Sequence, residues 1–127
     1  MEIVSHDKSE VFQYGRIFHQ TLVTGPETRE CSLWLDTFCP GAETPLHYCT
    51  SEQVVTILSG KGEALVNDHK YELGPDTTIM VRPNIVRSFR ALTPMRLMAF
   101  FPDPEPRILD PDGKEIELPW SHLAVAG

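Results

Sequence analysis

A chain of 127 residues, 41% hydrophobic and 23% charged, is of ordinary globular composition and long enough for one core that buries roughly two-thirds of the unfolded surface. A formal charge of −7, with the basic residues scattered, argues against a nucleic-acid partner, because that recognition draws on a positive surface that releases counterions; no apolar run approaches the roughly 20 residues that cross a bilayer. Met1 to Glu10 is polar where a secretory leader is apolar, and Cys31, Cys39 and Cys49 lack a C-x-x-C spacing, so the expectation is a cytoplasmic protein with reduced thiols and no membrane partner.

Eleven prolines and eight glycines cut the chain into short pieces, almost none of which carries a helical period. Alternation takes its place. Cys31, Leu33, Leu35 and Thr37 share one face of a predicted strand, and Ser32, Trp34, Asp36 and Phe38 share the other. Both faces carry apolar groups, so the strand suits a two-layer structure, with the face near Trp34 and Phe38 read as an outer one that packs on a second subunit. Cys31 and Cys39 read as small core residues.

Further strands are predicted at Val54 to Leu58, Glu63 to Val66, Lys70 to Leu73, Thr77 to Val81, Val86 to Ala91 and Met95 to Phe101. Gly60-Lys61-Gly62, Asn67-Asp68, Gly74-Pro75-Asp76, Arg82-Pro83-Asn84 and Thr93-Pro94 separate them as turn-forming sequences. Many short strands at such intervals predict an all-β fold, a double-sheet jelly roll. A proline-rich stretch then leads to a small hairpin, Ile108 to Leu118, over Asp110-Pro111-Asp112-Gly113. Trp120, His122 and Leu123 follow it, to pack on the barrel mouth or a partner subunit, or to trail off. The organisation expected is one domain over residues 1–127, with a barrel core over about 15–102 and a tail over about 103–127.

Gly41 to Gly60 keeps every spacing of the pattern G-x5-H-x-H-x3-E-x6-G, with Gly41, His47 and Gly60 matching, Cys49 at the second histidine and Gln53 at the glutamate. Gly74 to Ala91 follows the second pattern, G-x5-7-P-x-G-x2-H-x3-N, more loosely: Gly74 matches, while Arg82, Asn84, Arg87 and Ala91 replace the proline, glycine, histidine and asparagine. In these two motifs the chain resembles the cupin superfamily, in its small single-domain form with altered metal-ligand positions. The resemblance implies a double-stranded β-helix, or jelly-roll barrel, a small molecule held inside it, and a homodimer.

Residues i and i+2 of a strand point the same way, so His47 and Cys49 converge while Tyr48 turns away, and Gln53 joins them if Val55 and Ile57 also point inward. Two chemistries are open to this set. In one, His47, Cys49 and Gln53 offer nitrogen, sulfur and an amide oxygen to zinc, iron, copper or nickel, as in a metal-dependent dioxygenase or isomerase. In the other, Arg87, a permanent cation without a lone pair, opposes a metal and grips the carboxylate or phosphate of an anionic sugar or keto acid. Cys49 and Gln53 then contact the ligand, and His47 is the acid–base group of an isomerase, epimerase or dehydratase.

A third reading is a non-enzymatic ligand sensor or assembly module. His19, Glu43 and Met80 are placed at the cavity by strand parity alone. Glu52 is expected to point outward, and Phe89, Met95, Met98 and Phe100 read as packing residues.

Overall fold

The computed structural model describes residues 1–120, so the expectations for His122 and Leu123 lie outside the described residues. The only helical piece among them is a 3-10 turn at His6–Lys8. Eleven strands follow: β1 Phe12–Tyr14, β2 Ile17–Val23, β3 Ser32–Phe38, β4 Tyr48–Cys49, β5 Gln53–Ser59, β6 Gly62–Val66, β7 His69–Leu73, β8 Thr78–Val81, β9 Arg87–Ala91, β10 Met95–Phe101 and β11 Ile108–Leu109. The predicted strands from β5 to β10 recur within a residue or so of their expected ends.

One antiparallel sheet has the order β1-β2-β3-β10-β5-β8, and a second has the order β7-β6-β9. Residues before β4 extend that second sheet, because the backbones of Glu43 and Arg90, and of His47 and Arg87, form bridges. β11 then pairs with β4, Ile108 opposite Cys49. The two layers enclose the core, which is the jelly-roll arrangement the sequence predicted, with strands of both layers protecting one another's edges.

The predicted hairpin of the tail is present. Ile116 N–H donates to the Ile108 carbonyl at 2.8 Å, and Asp110 N–H to that of Lys114 at 2.7 Å. Because β11 pairs with β4, this part of the tail is built into the barrel.

Gly60 shows why the motif spacing survives. Its φ is +85°, and a Cβ would collide with the Pro94 carbonyl oxygen, so the turn between β5 and β6 accepts only glycine there.

The alternation expected on β3 is present, but its two faces are reversed. Trp34 and Phe38 are 8% and 2% exposed and belong to the core; they face the interior. The outward row contains Leu33 and Leu35. Leu35 is itself buried, because its cross-strand neighbour Gln20 is tied to the Ser9 carbonyl, which lays the amino-terminal segment across that part of the sheet. The apolar outer surface instead runs through Leu33, Phe100, Val54 and Met80, which lie opposite one another across β3, β10, β5 and β8. Phe100, expected to pack, is 38% exposed in this row, whereas Phe89 and Met95 are core residues.

Candidate functional site

β5 begins at Gln53, which is 5% exposed, with Val55 and Ile57 each at 1%. The three share the inward face. His47 and Arg87 are held directly opposite one another by two backbone hydrogen bonds, His47 N–H to the Arg87 carbonyl at 3.0 Å and Arg87 N–H to the His47 carbonyl at 2.7 Å. Opposed residues of an antiparallel pair present their side chains on one face. His47, Cys49 and Arg87 are all buried.

A cavity of about 70 Å³ lies between the sheets, and His47 and Gln53 line it, as do Asp36, Tyr14 and Thr44. The other twelve lining residues are apolar, Trp34, Phe38, Phe89 and Trp120 among them. Such a volume holds a few waters at roughly 10–15 Å³ each. Cys49 and Arg87 are not lining residues.

Cys49 lies close enough to Arg87 for each to shift the other's ionisation. Arg87 donates from Nη2 to the Arg82 carbonyl at 3.2 Å. Its Nε and Nη1 are buried without a hydrogen-bond partner among the described residues, and so is Oε1 of Gln53. Buried polar groups of native proteins are nearly always paired, so Oε1 of Gln53 and the likewise unpartnered Nε1 of Trp120, both residues of the cavity wall, offer hydrogen-bonding capacity there.

His47 donates from Nδ1 to the Pro45 carbonyl at 2.7 Å, which leaves the lone pair on Nε2. Burial, with the Arg87 charge adding to it against that hydrogen bond, pulls the imidazole from 6.5 down to about 4. The ring is therefore neutral near pH 7. It accepts a proton or a hydrogen bond there and has no second proton to give, which removes the general-acid half of the role expected from its ordinary pKa. Burial also pushes the Cys49 thiol up, with the Arg87 charge opposing; the thiol form is favoured. Arg87 is drawn down by the same burial, with Cys49 opposing, but a guanidinium starts so high that it stays charged.

Asp36, expected on an outer face with Trp34 and Phe38, lines the cavity. It sits across the β2–β3 pair from His19, and the two side chains meet at 2.6 Å between Oδ1 and Nδ1. Nε2 of His19 lies 2.6 Å from the Thr21 hydroxyl. The His19 ring is wholly buried, stacked on Trp120 at 3.6 Å between centroids and edge-on to Trp34. Placed at the cavity by parity, His19 instead stands behind Asp36. No signal within residues 31–38 marks this face as the inward one, because a carboxylate on a strand ordinarily points to solvent.

Glu43 and Met80 do not line the cavity. Glu43 is exposed, and Met80 is 50% exposed because it lies opposite Val54, the outward neighbour of Gln53. Glu52 pairs outward with Arg82 at 3.6 Å. Trp120 closes one side of the cavity.

Among the described residues, no group of three or more histidine, cysteine, aspartate and glutamate side chains is placed to hold a metal ion. His47 and Gln53 offer two donors, but Cys49 lies beside a guanidinium whose charge repels a cation. This set fits a divalent metal poorly. No helix among the described residues is long and apolar enough to cross a membrane.

The family profile described as Cupin domain matches residues 34–101, more than half of the chain. Auxin-binding protein 5 of Zea mays is 44% identical over 57 residues, covering 42% of this chain and 38% of that protein, so the chain matches well under half the length of this curated relative. A solved RmlC-like cupin from Shewanella frigidimarina superposes with a TM-score of 0.73 at 22% identity, covering 82% of this chain and 92% of that one. KdgF from Halomonas sp. does so with a TM-score of 0.72 at 16% identity, over 80% and 94%. At such identities the two structures speak for the fold alone.

Proposed function

This chain belongs to the cupin family, and from that premise we propose that it binds a small hydroxy or keto acid with an apolar body between its two sheets. The carrying observation is Oε1 of Gln53, on the cavity wall and buried without a partner among the described residues, which wants a hydrogen-bond donor, with the Arg87 charge behind that wall. A ligand hydroxyl supplies that donor, and a carboxylate beside it is favoured by the charge. Twelve apolar lining residues favour an aliphatic or ring body over a sugar, whose hydroxyls would each need a partner. The relative named for auxin binding is in keeping with a small organic ligand.

In this reading His47 accepts a hydrogen bond from the ligand at Nε2, and Arg87, whose charge is felt at His47, favours a carboxylate at that end. Cys49 lies beside the guanidinium. The reaction class that suits such a site is isomerisation, epimerisation or dehydration through an enol.

Saturation-transfer NMR with 2-hydroxybutyrate, 2-oxobutyrate and butyrate tests the reading. The expected result is binding of the hydroxy acid in preference to butyrate, a preference abolished by Gln53→Ala. Absence of binding by all three at millimolar concentration overturns it. Near-stoichiometric zinc, iron, copper or nickel in protein purified without added metal or chelator would instead favour a metal-dependent site at His47 and Gln53.

The row Leu33, Phe100, Val54 and Met80 supports a homodimer, because a second copy covers the same apolar stripe by two-fold symmetry. Sedimentation at micromolar concentration should give a dimer, and Phe100→Glu a monomer. A cytoplasmic location is part of the same proposal.

A further inference from the structure

A cavity walled mostly by apolar groups is an unfavourable place for a carboxylate, yet Asp36 lines it with its side chain 14% exposed. Two further residues hold it there. His19 is bonded through Nδ1 to Oδ1 of Asp36 and through Nε2 to the Thr21 hydroxyl, both at 2.6 Å, and its ring is clamped by Trp120 and Trp34. A carboxylate accepts, so the Nδ1–H tautomer of His19 donates to Asp36, and Nε2 is left to the Thr21 hydroxyl. Oδ2 of Asp36 makes no hydrogen bond among the described residues and remains available to the cavity.

We infer that Asp36, oriented by His19 and Thr21, is the group that takes a proton from the ligand in this cavity. The inference rests on the proposed acid-binding site and deepens it. Asp36 is the catalytic residue; His19 and Thr21 are positioning residues, fixing which oxygen faces the ligand.

The step balances within the site. With a 2-oxo acid bound, Oδ2 forms an O–H bond as a C3–H bond breaks. The pair from that bond becomes the C2=C3 double bond, and the carbonyl π pair moves onto its oxygen to give an enolate. The carboxyl proton of Asp36 exchanges with solvent, and delivery of a solvent-derived proton from Asp36 to C3 restores the keto acid without oxidant or reductant. His47, neutral with its proton committed to Pro45, is the neighbouring acceptor and not the donor of that proton.

The test follows C3 protons of 2-oxobutyrate by NMR in deuterium oxide at saturating acid, so that turnover is compared and not affinity. The wild-type protein should exchange them for deuterium, and Asp36→Asn should slow exchange by about a hundredfold, the usual worth of a positioned general base. Thr21→Val should slow it by a smaller factor that Thr21→Ser restores, a rescue that mere packing would not give. These Thr21 variants also carry the test if Asp36→Asn does not fold.

Unchanged exchange in Asp36→Asn overturns the inference. So does binding of 2-hydroxybutyrate by a wild-type protein that exchanges nothing, and in that case the proposed ligand class still stands. Failure of every acid to bind overturns both together.

Discussion

Two buried histidines of this barrel are held in opposite ways. His19 on β2 has both ring nitrogens satisfied by side chains and its ring stacked on Trp120 and edge-on to Trp34. His47, before β4, has one nitrogen tied to a backbone carbonyl, a guanidinium across the strand pair and orphaned polar atoms around it. Burial alone therefore does not decide what a histidine does. A satisfied network fixes geometry, whereas an unsatisfied one retains binding capacity and is costly until something occupies it.

The largest effect expected from breaking this contrast is at His19. His19→Leu removes two buried hydrogen bonds and leaves Asp36 as an unpaired, mostly buried charge, which should cost about 3–5 kcal/mol. His47→Leu removes a ring that is itself poorly satisfied, and it should change stability by about 1 kcal/mol or less at pH 7. Urea unfolding of the two variants checks the ratio. Equal losses would mean that the two corners are equally built.

Acid should sharpen the same contrast. The folded chain keeps His47 neutral down to about 4, whereas the unfolded ring takes its proton near 6.5. Between these values the unfolded state binds more protons, so stability is full above about pH 6.5 and falls as pH drops towards 4. The loss attributable to this one ring is up to roughly 3 kcal/mol. His47→Gln should flatten that part of the profile, as read by thermal or urea unfolding at pH 4, 5, 6 and 7. An unaltered slope would mean that the ring is not held neutral.

Much of this fold was legible because its determinants are local. Gly41 and Gly60 take positive φ at the spacing the motif requires, and alternation ties Gln53 to the same side as Val55 and Ile57, which the structure places inward. Alternation gives parity but not side. Nothing in residues 31–38 alone says whether Leu35 or Trp34 looks inward, since both end up buried, one under the core and the other under the amino-terminal segment.

The His19–Asp36 contact was hidden for a related reason. It joins residues of two strands whose register includes an irregularity between Thr21 and Val23, and such a shift is set by pairing across the sheet. The partners of Arg87 depend likewise on side-chain direction beyond strand parity. Parity turns the guanidinium inward; only packing shows that it meets Cys49 and stops short of the cavity wall.

Arg87 offers the smallest effect and the finest discrimination. It is a wholly buried cation whose Nε and Nη1 have no partner among the described residues, and replacing a poorly compensated buried charge by an apolar side chain of similar length is often neutral or stabilising. Arg87→Met should therefore leave unfolding free energy at pH 7 within about 1 kcal/mol of the wild type or above it. It should also raise the His47 pKa, because the guanidinium contributes to holding that ring neutral. Histidine titration by NMR and urea unfolding read the two effects separately. A loss of several kcal/mol would mean that the arginine is already satisfied without a ligand, and the corner would then resemble the one around His19.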